Sequence, residues 1–526
     1  MANLDILIKN ATIFDGSGNK PFYGSIGISG DKIALVSNNP EEEIPCADLI
    51  DAEGLTVSPG FIDTHSHSEF TLLADNRAEG KLFQGITTEI NGNCGLSAAP
   101  LTGEAAQQRE ADLKELGINN RWSTLREYFS LLERKGLTIN FVTLVGHGNL
   151  RASVMGYGDR TPNRFEIDRM SNLLEESIRY GAIGLSTGLI YPPGAFSERE
   201  EIIELTKRIK GFIYTTHMRS EGDRLEEAVK ESIEIGRRSG IHVHISHIKT
   251  SGKRNWHKID SVISMINGAK AEGIVVTADR YPYVAASTDL DAILPAWAYE
   301  GGAEKEIERL KNRAVRETLK AEIHAQHPES EYWRGVRISS ITGEDKKWME
   351  GRSLEDLSRI MKKDPLDLLF DILIEEKLRV SAIFFSMSED NLLRFLSLPY
   401  VMIGSDSSAR SFDGVTRQGK PHPRGFGSFP RFLSKYGKSL GMERAIHKIT
   451  GLPAKTFSIK NRGLIAKGYY ADIVIFDPDK IIDRATFEEP FMGPDGICYV
   501  IVNGKIVVKE GELTGIRSGK ILRNGF

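Results

Sequence analysis

Gly60-Phe-Ile-Asp-Thr-His-Ser-His67 is the stretch whose reading decides the fold. It follows a Ser58-Pro59 break, runs through apolar residues and closes on two histidines two positions apart. Alternate side chains of a strand share a face. His65 and His67 therefore project to the same side of one strand terminus, where a single cation can bridge them. One His-x-His pair is a weak signal, because surface and core histidines are commoner than ligands. It becomes a site when other strand ends supply further donors.

Outward from this stretch, short β-rich runs alternate with helical patterns at a spacing of roughly 30 residues, the signature of successive βα units. Strands are predicted at 60–67, 87–91, 140–146, 182–186, 212–217, 242–247, 275–279 and 401–405. Amphipathic helices separate them. The one at 224–239 sets Leu225, Ala228, Val229, Ser232, Ile233 and Gly236 on one face. This order predicts an α/β fold, a (β/α)₈ TIM-like barrel at 58–454 whose chemistry sits at the C-terminal strand ends. An insertion at about 288–398 separates strands seven and eight and contains helical stretches such as 364–377. It is long enough to cover the barrel mouth.

Both chain ends have a different texture. Residues 1–57 read as short strands at 6–10, 11–14, 24–28 and 32–36, separated by turn clusters such as Asp15-Gly16-Ser17-Gly18. The C-terminal part matches them, with 471–476 and 499–502 leading through the Asn503-Gly504 hairpin turn into 505–508. Neither end has core enough alone, so 1–57 and 455–526 are expected to pair into one composite β-sandwich domain.

Composition excludes several classes. The 526 residues carry 68 basic and 72 acidic groups, a net charge of −4, which gives no electrostatic case for nucleic acid or an anionic membrane. No apolar run reaches membrane-spanning length, and Met1-Ala-Asn-Leu-Asp5 lacks the basic and apolar regions of a signal peptide. Cys46, Cys94 and Cys498 make no disulfide framework. A cytoplasmic protein with a small-molecule substrate is expected; nothing here assigns an oligomeric state.

The polar residues at the strand ends converge. His65 and His67 end the first strand, Cys94 follows the second, His217 ends the fifth, His247 ends the sixth and Asp406 ends the eighth. Neutral imidazole, thiolate and carboxylate are standard zinc donors. A barrel built for stability alone would not gather nitrogen, sulfur and oxygen donors on one rim. His242 and His244 lie on the opposite parity from His247, so they are expected to face the helices. His147 lies at rim level and is expected to support the ligands from behind.

The sequence resembles the D-aminoacylase, or N-acyl-D-amino-acid deacylase, branch of the amidohydrolase superfamily. The matching stretches are 60–67, Gly92-Asn-Cys-Gly95 and its continuation to Pro100, 184–194, His217-Met-Arg-Ser-Glu-Gly222, Ser246-His-Ile-Lys249, Tyr281-Pro-Tyr283, Gly404-Ser-Asp406, His422-Pro-Arg424 and 468–474. The first motif indicates only the superfamily; the Asn-Cys-Gly and His-Pro-Arg elements narrow it to this branch. Many relatives bridge two metals through a lysine on the fourth strand, but 184–188 contains none, and the resemblance gives that work to Cys94. It implies one tight Zn²⁺ on Cys94, His217 and His247, and a second, weaker divalent-metal position on His65, His67 and Asp406. It further implies hydrolysis of N-acyl-D-amino acids.

Asp406 is then the general base for the water and the general acid for the departing amine. The matched positions for the substrate carboxylate are Tyr191, Lys249, Tyr281, Ser287 and Arg424, with Arg424 suited to paired hydrogen bonds. The preference for the D enantiomer comes from the resemblance alone. A cyclic amidohydrolase of the dihydropyrimidinase, hydantoinase or dihydroorotase kind would use the same barrel and metal, but the missing fourth-strand lysine and the Cys94 motif speak against it. A non-catalytic binding protein on this fold would have eroded its ligands, and here every donor is present.

Overall fold

The computed structural model describes residues 4–39, 44–329 and 331–524; Met1–Asn3 of the N-terminal stretch read above lie outside them. Parallel strands form its centre. Phe61–Asp63 pairs with Ile86–Asn91, which pairs with Asn140–Thr143. A second run places Val145–Gly146, Gly184–Gly188, Ile213–His217, His242–Ile245, Val276–Arg280 and Val401–Ile403 side by side. The two runs are continuous in the chain, since only Leu144 separates 143 from 145. They also meet at the other end, where the Asp406 amide donates to the His65 carbonyl at 2.8 Å and Ser66 bridges Ser407 in parallel.

Helices cover these strands as the apolar spacing predicts. Leu225–Ser239 buries Leu225, Ala228, Val229, Ser232, Ile233 and Gly236. Gly236 is required by close packing, because a Cβ there would lie 2.6 Å from Val243 Cγ2. Val243 and Ile245 therefore face the helical layer and join the main apolar core.

The segment after the seventh strand is more organised than the sequence reading anticipates. Ala285–Asp289, Val380–Phe385 and Val336–Ile341 form a three-stranded antiparallel sheet in that order. Helices such as Pro365–Glu375 pack on it, around a separate core containing Leu310, Leu319, Leu357, Leu369 and Phe370. Asp364 caps that helix, accepting from the Leu366 and Asp367 amides at 3.1 Å, and proline occupies its first turn. Helix Glu389–Ser397 instead buries Leu392, Phe395 and Leu396 in the main core. The inserted body thus begins at about 285 and ends before 389, earlier at both ends than 288–398.

Strands from both chain ends share one nine-stranded sheet. The two short strands expected at 6–10 and 11–14 are one strand, Leu4–Ile13, with an irregularity where Asn10 takes φ +58°. Thr56–Pro59 pairs with Ile473–Phe476 and passes through Gly60 into the first parallel strand. Gly60 has no room for a side chain, since a Cβ would sit 2.1 Å from Thr87 Oγ1. A buried polar knot joins this sheet to the parallel strands. Asp472 pairs with Arg462, accepts from the Asn503 amide at 2.8 Å and from Asn140 Nδ2 at 3.1 Å, and Asn503 Nδ2 donates to Asn140 Oδ1 at 2.8 Å. Among the described residues no helix is long and apolar enough to cross a membrane.

Asp472→Ala strands the buried Arg462 charge, so it is expected to lower the unfolding free energy by about 3–5 kcal/mol, read by denaturant titration. A loss below about 1 kcal/mol, the size of an exposed pair, would remove the knot from that role.

Candidate metal centre

The last residues of the first strand are fixed from beneath. Lys81, fully buried, donates to Asp63 Oδ2 at 2.6 Å, Ser66 Oγ at 2.9 Å, Ser405 Oγ at 2.8 Å and the Ser407 carbonyl at 2.8 Å. One ammonium thus ties the end of the first strand to the end of the last. Gly404 permits the approach, because a Cβ there would lie 2.5 Å from His65 Cβ.

Above this tie the donors meet. Ligand atoms of His65, Cys94, His247 and Asp406 all lie within 4.8 Å of one another. Cys94 Sγ is 3.3 Å from both His65 Nε2 and His247 Nε2. Asp406 Oδ1 is 3.5 Å from His65 Nε2 and 3.2 Å from His67 Nε2, and His67 is 26% exposed. The His217 ring meets His247 edge-on at 4.4 Å between centroids. Its Nε2 lies 3.6 Å from Glu221 Oε2, and His217, Glu221 and His247 form a second group of close donors. The sulfur therefore sits between the two ligand sets that the resemblance separates.

Electrostatics favour the metal-binding protonation state at Cys94, Asp406 and His217, whereas His65, His67 and His247 are pushed up and must release a proton to a cation. Burial alone would push the Cys94 thiol up, but the charges of His65 and His247, each 3.3 Å from the sulfur, hold it well below the usual thiol range. Burial would likewise raise Asp406, yet Arg424, His65 and His247 hold its carboxyl well below the usual range. Burial lowers His217 and favours its neutral, ligating form. His247 rises to about 9, because Glu221, Cys94 and Asp406 overcome burial and the Lys249 charge.

Two features fit a cation. Both ring nitrogens of buried His217 lack hydrogen-bond partners among the described residues, an arrangement costing about 1–3 kcal/mol per orphaned group unless something binds there. Cys94, His247 and Asp406 take φ of +53°, +35° and +51°, a left-handed conformation that costs non-glycine residues roughly 1–3 kcal/mol each and gathers at functional sites. The thiolate, imidazole and carboxylate set suits zinc.

The backbone at His247 also corrects the parity reading. The strand ends at Ile245 and the chain reverses, so alternation does not carry through to 247. His244 faces inward with His65, its Nε2 2.8 Å from Asp279 Oδ2, and His242 Nε2 lies 2.8 Å from Thr277 Oγ1. Asp279 orients the site. Its Oδ2 is 3.3 Å from His65 Nδ1, and its Oδ1 accepts from the His247 amide at 2.7 Å. Glu221 Oε1 lies 2.9 Å from His247 Nδ1. Carboxylates behind ligating imidazoles set their tautomer and basicity. The sequence reading assigns no role to Asp279 or Glu221. Asp279 carries the same signal as the candidate ligands, a polar residue closing a predicted strand. His147 stands apart, its Nε2 2.7 Å from Glu201, which also pairs with Arg151.

The residues expected at the substrate carboxylate divide. Arg424 Nη1 is 2.8 Å from Asp406 Oδ2, and its Nη2 donates to the Ser287 carbonyl at 3.2 Å. Ser287 thus contributes backbone, not its hydroxyl, to that contact. The Tyr281 ring is 4.7 Å from the Arg424 guanidinium, and its buried hydroxyl has no hydrogen-bond partner among the described residues. Tyr191 packs edge-on to His217 at 5.0 Å, its hydroxyl 3.0 Å from Thr288 Oγ1. Lys249 does not stand free at the rim. It is buried against Glu221 and 2.9 Å from His247 Nδ1, because Glu221 needs a cation there.

Residues 48–508 match the amidohydrolase family. The chain is 35% identical over 525 residues to a D-aminoacylase of Alcaligenes xylosoxydans xylosoxydans, covering 98% of this chain and 97% of the relative. It is 33% identical to an N-acyl-D-glutamate deacylase of the same organism, covering 99% and 96%. Among solved structures it resembles N-acyl-D-glutamate deacylase from Bordetella bronchiseptica complexed with zinc and a phosphonate inhibitor, a mimic of the reaction tetrahedral intermediate. That likeness has a TM-score of 0.83 and 32% identity, covering 99% of this chain and 100% of that one.

Cys94→Ala removes the donor common to both halves and is expected to weaken zinc binding at least about 100-fold, the upper end of what outlying partners contribute. Metal analysis after dialysis against graded chelator reads it. Parent-like zinc retention would exclude Cys94 as a ligand.

Proposed function

This chain belongs to the amidohydrolase family, and from that premise we propose that it hydrolyses the amide bond of N-acyl-D-amino acids, releasing a free D-amino acid and a carboxylate. The observation that carries the reading is the Cys94 sulfur lying between His65 and His247, 3.3 Å from each, in a chain similar along its whole length to deacylases. A bound zinc ion would supply ionised water near neutral pH and polarise the scissile carbonyl. His65, His67, Cys94, His217, His247 and Asp406 would hold it, with one tight position and a weaker second one.

Asp406 takes the proton of the attacking water and passes it to the departing amine, which is otherwise a poor leaving group. Its charge beside His65 and His67 supports the base role, and Arg424 keeps it ionised until substrate arrives. Arg424 and Tyr281 receive the substrate carboxylate, Tyr191 lines the same mouth, and Ser287 steadies Arg424 through its carbonyl. Lys249 holds Glu221 against His247 and orients that ligand. The order and pairing of the parallel strands support a (β/α)₈ barrel at 58–454, with the inserted body after its seventh strand. The shared sheet of 4–59 and 473–513 supports a composite domain from both chain ends. Three unpaired cysteines support a cytoplasmic setting.

Release of free amine from paired N-acetyl-D- and L-amino acids tests the reading. Turnover of D substrates only is expected, and turnover of L substrates alone, or of dihydrouracil instead, would overturn it. Asp406→Asn is expected to retain zinc and lose at least about 100-fold in kcat; near-parental kcat with zinc bound would remove Asp406 from proton transfer.

A further inference from the structure

Arg280 closes the seventh parallel strand and is 1% exposed, yet among the described residues it has no carboxylate partner. Its Nη2 donates to the Tyr283 carbonyl at 2.8 Å and contacts Met387 Sδ at 2.8 Å. Among the described residues its Nε and Nη1 have no hydrogen-bond partner. A buried guanidinium without an acid is one of the costliest arrangements a protein interior can hold. Packing does not account for it, because a methionine of similar length would fill the space without the charge.

What the guanidinium touches is Tyr281. Arg280 lies 4.1 Å from the Tyr281 ring centroid, while Arg424 lies 4.7 Å and Lys249 Nζ 5.9 Å from the same ring. Tyr281 is itself fully buried, and its hydroxyl has no partner among the described residues. Three cations thus surround one phenol. Lys249 is paired with Glu221 and Arg424 with Asp406, which leaves Arg280 as the uncompensated charge of this set. A cation over the ring face draws electron density from it, which makes the hydroxyl a stronger donor to an anion.

We propose that Arg280 is a positioning residue for substrate: stacked on Tyr281, it fixes the ring and strengthens the unpartnered hydroxyl as a donor to the carboxylate of the N-acyl-amino acid. The inference rests on the functional reading above and adds a residue to it. Arg280 does not touch the substrate; it acts through Tyr281.

The test uses the zinc-loaded full chain and two probes. KM for N-acetyl-D-methionine reads the carboxylate during turnover, and calorimetric binding of free D-methionine reads it without turnover. Arg280→Met is expected to raise both constants about tenfold, the scale of losing charge assistance in one hydrogen bond. In a Tyr281→Phe background the same substitution is expected to add less than about twofold. The melting temperature of Arg280→Met should hold or rise, because an unpaired buried charge is gone. Constants unchanged in Arg280→Met, or raised by the same factor with and without Tyr281, would overturn the inference. A lowered melting temperature with D-methionine binding unchanged would assign Arg280 to packing and overturn it too. Should Arg280→Met not fold, Arg280→Lys decides: it keeps charge and loses the planar stack, so at least about a threefold weaker D-methionine binding is expected, and parental binding overturns the inference. If the parent hydrolyses no N-acyl-D-amino acid, the functional reading fails while D-methionine binding still decides the role of Arg280; no binding to the parent counts against both.

Discussion

One contact organises this molecule: a buried cysteine sulfur held 3.3 Å from two imidazoles that come from strands far apart in the chain. A thiol buried in apolar surroundings would be neutral and inert. Here His65 and His247 hold the thiol well below its usual range, and the sulfur lies close enough to both imidazoles for one cation to reach all three. Every element that fixes the relative height of the first, second, sixth and last parallel strands serves that contact. The Lys81 ammonium, reaching Asp63, Ser66, Ser405 and the Ser407 carbonyl, is the clearest such element.

Convergence has a cost in backbone strain and desolvation, and the structure distributes it. Cys94, His247 and Asp406 adopt left-handed backbone so that their side chains turn inward from chains that are already leaving the strands. Asp279 offsets part of the cost by binding His65, His244 and the His247 amide at once. Glu221, held by Lys249, supports His247 from the other side. Cations continue from this donor cluster through Arg424, paired with Asp406, to the Tyr281 ring and Arg280.

The clustering of donors was legible in the sequence because each of His65, Cys94, His217, His247 and Asp406 follows a β-rich run, and the ends of these parallel strands meet. Period-two alternation failed at His244, since it assumes extended backbone through residue 247 and the chain leaves the strand at 245. Asp279, Glu221 and Lys81 stayed hidden for a different reason: an acid or lysine in sequence reads as a solvated charge until its buried partner is placed beside it. The inserted sheet was missed at its start because Ala285-Ala-Ser-Thr-Asp289 has no apolar alternation, and its pairing with 380–385 is decided by tertiary contact. Helix faces such as that of 225–239 were readable, as burial there follows directly from helical period.

The most direct measurement is anomalous scattering at the zinc edge from crystals grown with the metal. The account predicts the strongest peak about 2.3 Å from Cys94 Sγ and roughly 2.0–2.1 Å from an imidazole nitrogen of the surrounding histidines. A strongest peak beyond bonding distance of that sulfur, or zinc-loaded crystals with no peak among these side chains, would contradict it.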